Sequence, residues 1–449
     1  MKKKMIGAAT AILAVTALLA ACSPSGGTST PPPSTAAPTT SSAPSSTAPA
    51  LAGTSMVFWD RSEYVPTYKD METAQVAKFD QETGVKTEYI SVAPGDIMAK
   101  LSAAIEAKQV PDLLAVDSST ATQFISTGVF MDVTDFLKQF DFRADALNLV
   151  TKIEGNFEVP LYLVPNALYV RNDKLAAAGI TKTPETWQEV LEAARAMNDA
   201  KNGFYGAGFQ LAPVSAGDCE GFTRSLMDSY GATLVDANGK VVVKDNADKV
   251  KQALTMIKTF YDEGLVPASA ITGDNAWNNE QYLAGNIGMT LNSGSILTAA
   301  KKQDPTLAEH TTVTGYPGGP AGRYGSGGVM SFMIKKDGNV AAAMKYLKDY
   351  FFDPTYYEQI QAGLLGLAVT VMNGQEGKGI WAQPGFSGWY TASKNMLTVG
   401  YPAPPDARAS QLLSKAVLSG VVQDMILNNV PLDKVVDNID AKYKEVYGS

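Results

Sequence analysis

The sequence predicts an α/β protein of two domains, each a mainly parallel sheet flanked by helices, and three observations carry that prediction. Short apolar strands alternate with longer amphipathic helices along the chain. The first strand–helix–strand–helix–strand run fits into about 60 residues, the spacing of a parallel sheet with crossover helices. Residues 54–449 also exceed what one ordinary core holds, so a second domain is expected.

The elements follow in order. Met56-Val-Phe-Trp59 reads as the first strand, and the helical spacing predicts a helix over 69–81. Val85 to Val92 is β-rich, with Val85, Thr87 and Tyr89 on one side. The next helix runs from about Gly95 to Lys108, with Ile97, Leu101, Ala104 and Ile105 on one face. After Pro111-Asp112, Leu113 to Val116 is a buried-strand candidate. A second part opens at Ala167-Leu-Tyr-Val170. A helix is expected from Thr183, with Thr183 as N-cap, Pro184 in the first turn and Glu185 on the dipole. Trp187, Val190, Leu191, Ala194 and Met197 form its apolar stripe. Leu234 to Val243 reads as a hairpin turning at Asn238-Gly239. A helix over 247–263, strands over 287–291 and 329–334, and C-terminal helices complete the pattern. The last helix presents Leu432, Val435, Val436, Ile439, Tyr443 and Val446 on one face.

The N-terminus has a different character. Lys2, Lys3 and Lys4 precede a largely apolar stretch from Met5 to Leu19, the layout of a secretory signal. Leu19-Ala20-Ala21-Cys22 resembles the bacterial lipobox. That resemblance implies cleavage before Cys22, lipidation of its sulfur and acylation of the new N-terminus. Ser23 to about Ala52 is almost wholly Ser, Thr, Pro, Ala and Gly. Such a segment buries too little apolar surface to offset its ordering entropy, so a tether is expected. Its length points to a Gram-positive cell surface.

Composition excludes several function classes. The formal charge is −8, against the basic face that nucleic-acid binding needs. With Cys22 lipidated, Cys219 has no disulfide partner. One histidine, His310, and one remaining cysteine leave no Cys/His zinc set. There is no P-loop, EF-hand or HExxH motif. Gly217-Asp-Cys219-Glu-Gly221 fits a cysteine form of the nucleophile elbow, but Pro213 spoils the strand that should precede it. No carboxylate spacing points to glycoside hydrolysis, though composition leaves that possible.

Several local phrases, in order, then carry a family resemblance. They are Val57-Phe-Trp-Asp60, Lys100-Leu-Ser-Ala-Ala-Ile105 with Val110-Pro-Asp-Leu113, and Ala167-Leu-Tyr-Val-Arg-Asn-Asp-Lys174 with Ala178-Gly-Ile180. Pro184-Glu-Thr-Trp187, Tyr261-Asp-Glu-Gly-Leu-Val-Pro267 and Leu283-Ala-Gly-Asn-Ile-Gly-Met289 complete the set. Together they resemble the family 1 extracellular solute-binding proteins of sugar ABC importers, the maltose-binding-protein-like group. The resemblance covers about Met56 to Tyr447. It implies a two-lobed periplasmic-binding-protein-like fold with the ligand cleft between the lobes. The expected division is a signal peptide over 1–21, a tether over 22–53, lobe 1 over 54–165 and 327–358, and lobe 2 over 166–326 and 359–449.

The function so implied is extracytoplasmic binding of a sugar or oligosaccharide and its delivery to permease subunits of an ABC importer by cleft closure. A monomer is expected, without enzymatic activity, cofactor or metal, touching the outer face of the cytoplasmic membrane through its N-terminal lipid. The alternatives are a receptor for a non-sugar solute or a polysaccharide-acting enzyme.

Ligands of open α/β sheets bind beyond the carboxyl ends of the strands. That rule nominates Trp59, Asp60, Arg61 and Glu63 after the first strand, and Asp117 and Ser118 after the Leu113 strand. Sugars need planar hydrogen-bonding groups for paired hydroxyls and aromatic faces for their C–H side. The family resemblance adds Asn166 at the first crossing, Phe209 and Gln210 after a strand, and Asn292 and Ser295 after Leu291. It also adds Gly327 and Gly328 before the return strand, and Arg408 ahead of a C-terminal helix. Trp277, Trp381, Trp389 and Tyr390 are further aromatic candidates, each with core packing as its competing role.

Overall fold

The computed structural model describes residues 51–61, 66–150, 155–213, 217–364, 366–383 and 386–448. The signal segment, Cys22, most of the tether and Glu63 lie outside the described residues. Ten strands are present among the described residues: β1 Ser55–Arg61, β2 Lys86–Val92, β3 Leu113–Asp117, β4 Val159–Pro165, β5 Ala167–Arg171, β6 Met289–Asn292, β7 Thr311–Thr314, the two-residue β8 Gly318–Gly319 and β9 Gly322–Arg323, and β10 Gly327–Ile334.

The first lobe is built on a five-stranded sheet ordered β2-β1-β3-β10-β4. β1 runs parallel to both β2 and β3, as the crossover spacing predicts. Alternation then decides what each face carries. Met56, Phe58 and Asp60 point to one face, where Phe58 meets Tyr89, Phe332 and Tyr346 edgewise or tilted. Trp59 and Arg61 point to the other, and Trp59 packs against the apolar cluster that holds Ile97, Leu101 and Val116. Leu113 to Val116 is buried on both faces because β3 is central.

The second lobe is built on a three-stranded sheet ordered β6-β5-β7. Here the strand direction differs from the parallel expectation. β5 is antiparallel to both neighbours, and β10 is antiparallel to β3 and β4. The α/β class is as expected. The difference arises because β5 leaves the crossing while β6 returns toward it, with Asn292 opposite Ala167. Parallel neighbours would need both chains to leave from the same end. One face of this sheet joins the apolar cluster of the first lobe, and the other carries Trp187, Phe209, Phe222 and Phe260.

Two local expectations shift. The helix expected from Thr183 starts at Trp187 and runs to Met197. Thr186 caps it and Glu189 completes a reciprocal capping box. That box satisfies two orphan N–H groups, which Thr183 with Pro184 cannot match. The hairpin over 234–243 forms a single bridge, Val235 to Val241, rather than a ladder. Asp236 Oδ1 accepts from Asn238 N and Lys240 N, each at 2.9 Å, so the turn holds itself without long strands.

Candidate functional site: a polar wall at the crossing between two sheets

Both sheets aim one edge at the segments that connect them. In the first lobe this edge holds the carboxyl ends of β1, β3 and β4 and the start of β10, where Gly327 pairs with Pro165. Residue Asn166 alone separates β4 from β5. In the second lobe the Asn292 end of β6 lies beside the start of β5.

On the first lobe, the Arg61 guanidinium lies 3.8 Å from Asp117 Oδ2 and donates to Met330 Sδ at 3.4 Å. Asp117 also caps the helix Ser118–Ile125, accepting from Thr120 N and Thr120 Oγ1, both at 2.9 Å. Ser118 donates to the buried Glu158 at 3.1 Å. Asp60 departs from the expected cleft position. It is 1% exposed and accepts from Tyr89 Oη at 2.7 Å, because its place in the alternation turns it toward the core with Phe58. Trp59 is half-buried against the opposite face.

The crossing is closely tied. Asn166 N donates to Ser326 O at 3.0 Å, and Asn166 Nδ2 to Ser326 Oγ at 3.3 Å. Ser326 Oγ also pairs with Tyr316 Oη at 2.6 Å. Gly327 has no room for a side chain, since a Cβ would lie 2.5 Å from Val164 O. Gly328 is exposed and would accept one freely.

On the second lobe, a hydrogen-bonded wall stands at the end of β6. Asn278 Nδ2 donates to Asp218 Oδ2 at 2.7 Å, and Asn292 Nδ2 to the same oxygen at 3.3 Å. Asn292 Nδ2 also donates to Asn279 Oδ1 at 2.5 Å. Ser295 Oγ donates to Asn292 Oδ1 at 3.0 Å, the distance at which it also accepts from Asn279 Nδ2. Asp218 opens the helix Asp218–Ser229, and its carboxyl is pushed up to about 6 by burial, against the Asn278 hydrogen bond that favours the charge. Gly221 of that helix passes so near the crossing that a Cβ there would lie 2.7 Å from Ser326 Oγ.

Arg61, Asp117 and Ser118 thus share the edge of the first sheet with Gly327 and Gly328, Asn166 joins that edge to β5, and Asn292 and Ser295 stand at the end of β6 beside the start of β5. Gln210 is buried beside them, donating to Asp274 O and accepting from Cys219 N at 3.4 Å. Besides Asp60, three expected residues sit elsewhere. Phe209 is core, stacked on Phe222 with centroids 4.8 Å apart, because its strand-like segment turns it away from Gln210. Trp277 is packed on Gly273 and donates to Ser269 Oγ at 3.0 Å. Arg408 is drawn to Asp406 and lies over the Tyr447 ring at 4.4 Å. The remaining aromatic candidates are packing residues too. Trp381 and Trp389 are buried, and Tyr390 lies under the Arg143 guanidinium at 4.8 Å.

Asp218, Asn278 and Asn279 are not among the residues nominated from the sequence. Asp218 lies inside the Gly217–Gly221 phrase, next to Cys219. Cys219 is fully buried, and burial pushes its thiol up, against the thiolate form. The adjacent amides Asn278 and Asn279 in a first helical turn were the available signal, since such pairs favour local hydrogen bonding over helix interior. Among the described residues, no three His, Cys, Asp or Glu side chains gather as a metal site.

Residues 65–355 match the family model of the bacterial extracellular solute-binding proteins. The chain belongs to that family. Two curated relatives of this solute-binding protein are Lipoprotein LipO of Bacillus subtilis (strain 168) and the putative ABC transporter periplasmic-binding protein YcjN of Escherichia coli (strain K12). The first is 22% identical over 265 residues, covering 54% of this chain and 52% of the relative. The second is 23% identical over 241 residues, covering 51% and 54%. The chain thus spans about half the length of the curated relatives it matches. The same fold occurs in a solute-binding protein from Thermotoga lettingae TMO bound with α-D-tagatose, with TM-score 0.74, 16% identity and coverage of 88% of this chain and 100% of that one. It also occurs in the sugar-binding protein MalE of Xanthomonas citri, with TM-score 0.73, 16% identity and coverage of 88% and 98%. The mixed α/β two-lobed fold expected from the sequence is therefore the fold of this chain.

Proposed function

We propose that this protein binds a sugar or oligosaccharide in the cleft between its lobes, outside the cytoplasm, and delivers it to the permease subunits of an ABC importer. The observation that carries this reading is the wall of Asp218, Asn278, Asn279, Asn292 and Ser295 at the crossing. Planar amides and a carboxylate, locked by one another, form a rigid surface for paired hydroxyls. Rigidity matters because a flexible wall would lose affinity in ordering itself.

The lobes we propose as the moving bodies are 54–165 with 327–358, and 166–326 with 359–449. Ligand touching both walls shifts the population toward closure, by its differential affinity for the closed form. The closed form is what the permease would recognise. Binding is without turnover, in a monomer held to the outer face of the membrane by lipid at Cys22.

Titrating intrinsic tryptophan fluorescence with a panel of mono- and oligosaccharides, with product analysis of the same samples, tests the reading. The expected result is a saturable change with the sugar recovered intact. Silence across the panel, or consumption of the sugar, counts against it.

A further inference from the structure

We propose that the cleft selects uncharged, polyhydroxylated ligands over anionic ones such as uronates and sugar phosphates, and that Asp218 is the residue that enforces the choice. This rests on the sugar-cleft reading and narrows it. The case is made by counting donors. Both Nδ2 protons of Asn278 are used, one on Asp218 Oδ2 and one on Leu291 O. Both Nδ2 protons of Asn292 are used, on Asp218 Oδ2 and Asn279 Oδ1. Asn292 is further fixed against flipping, because its Oδ1 accepts from Ser293 N at 2.8 Å and from Ser295 Oγ. These four amide protons are thus spent within the protein, two of them on the Asp218 carboxylate. What Asp218, Asn278 and Asn292 offer a ligand is acceptor capacity, which hydroxyl groups satisfy and a carboxylate or phosphate group cannot.

Two further observations point the same way. The N-terminus of the helix Asp218–Ser229 is a partial positive charge that could draw an anion. Asp218 in its first turn already takes that role, while Glu220 accepts from Leu418 N and Ser419 N. Across the crossing, the described strand tips carry Arg61 as their cation, and it lies against Asp117. An incoming anion would face Asp218 in a partly desolvated place, where like charges are screened less than in water. A neutral sugar meets no such cost.

Isothermal titration of the purified protein tests this with maltotriose, cellotriose, laminaritriose and xylotriose against trigalacturonate and glucose 1-phosphate. Wild type should bind at least one neutral sugar and hold every anionic probe at least ~10-fold more weakly. Asp218→Asn should weaken the neutral ligand by ~10-fold or more and narrow its margin over the anions. Thermal melting of the variant establishes that it is folded, and the wild-type comparison stands without it. An anionic probe bound as tightly as the best neutral one overturns the inference while leaving the sugar reading intact. So does a folded Asp218→Asn protein with unchanged affinities. No binding by any probe overturns both.

Discussion

Glu72 is a carboxylic acid with 0% exposure, held between the phenols of Tyr346 and Tyr356. Burial pushes it up to about 7, and the two phenol hydrogen bonds only partly oppose that. The acid is on the helix Pro66–Thr83 and shares the core face of the sheet with Asp60 and Tyr89. Its proton linkage has a definite sign. Below about pH 4.5 the acid is protonated in both the folded and unfolded chain, and its contribution to stability is fully present. Above that, the unfolded chain ionises first, and stability is lost until the folded acid titrates near 7. The loss is on the order of 3 kcal/mol. Glu72→Gln should remove it, so across that pH window the melting temperature should fall less for the variant than for wild type. Parallel curves would contradict this role. Asp228, pushed up to about 7 by burial, adds a loss of the same sign. Glu72 was not legible in the sequence. A Glu in an amphipathic helix is ordinarily solvated, and its phenol partners are distant in the chain. Asp60 was legible as a strand-tip residue, but not the face it takes.

At the scale of elements, the crossing is where the two sheets constrain each other. Ser326 Oγ links Asn166 of one connecting segment to Tyr316 of the second lobe, with Gly221 of the helix Asp218–Ser229 pressed against it. Two effects compete at Gly221. Replacing a helical glycine by alanine ordinarily gains roughly 0.5–1 kcal/mol. Here the new Cβ would stand 2.7 Å from Ser326 Oγ and 3.1 Å from Ser326 Cβ, an overpacking that costs about 1–3 kcal/mol. Gly221→Ala should therefore destabilise, by chemical denaturation. In a Ser326→Ala background it should destabilise less, because the nearer atom is gone. Additive effects in that cycle would show that the two residues do not meet. Helix positions were largely legible from periodicity and caps, as at Trp187–Met197. Gly221 was not, because nothing local marks a glycine chosen for a distant hydroxyl.

For the whole molecule, the helix Ala407–Ser414 touches the helix Ser118–Ile125 while also packing on the C-terminal helix Leu432–Tyr447. The last of these lies on the helix Ala247–Asp262 of the second lobe. One helix thus bridges from second-lobe helices to the first lobe. Small-angle scattering should show a smaller radius of gyration with a saturating neutral sugar than without it. An unchanged profile at full occupancy would argue against a moving cleft.

The sequence by itself determined the α/β class, most helices and strands, and the family with its two-lobed fold, because these rest on local periodicity and on phrases read within a few residues. It also nominated one edge of the first sheet, since ligands gather at the carboxyl ends of strands whatever the fold's details. Tertiary structure decided the antiparallel pairing of β5, the inward turn of Asp60 and the removal of Phe209, Trp277 and Arg408 to packing roles. It alone assembled Asp218 with Asn278 and Asn292, residues far apart in the chain. The physical reason is the same in each case. Strand direction, face and side-chain partner depend on contacts made across long loops, and those contacts leave no local pattern in the chain that makes them.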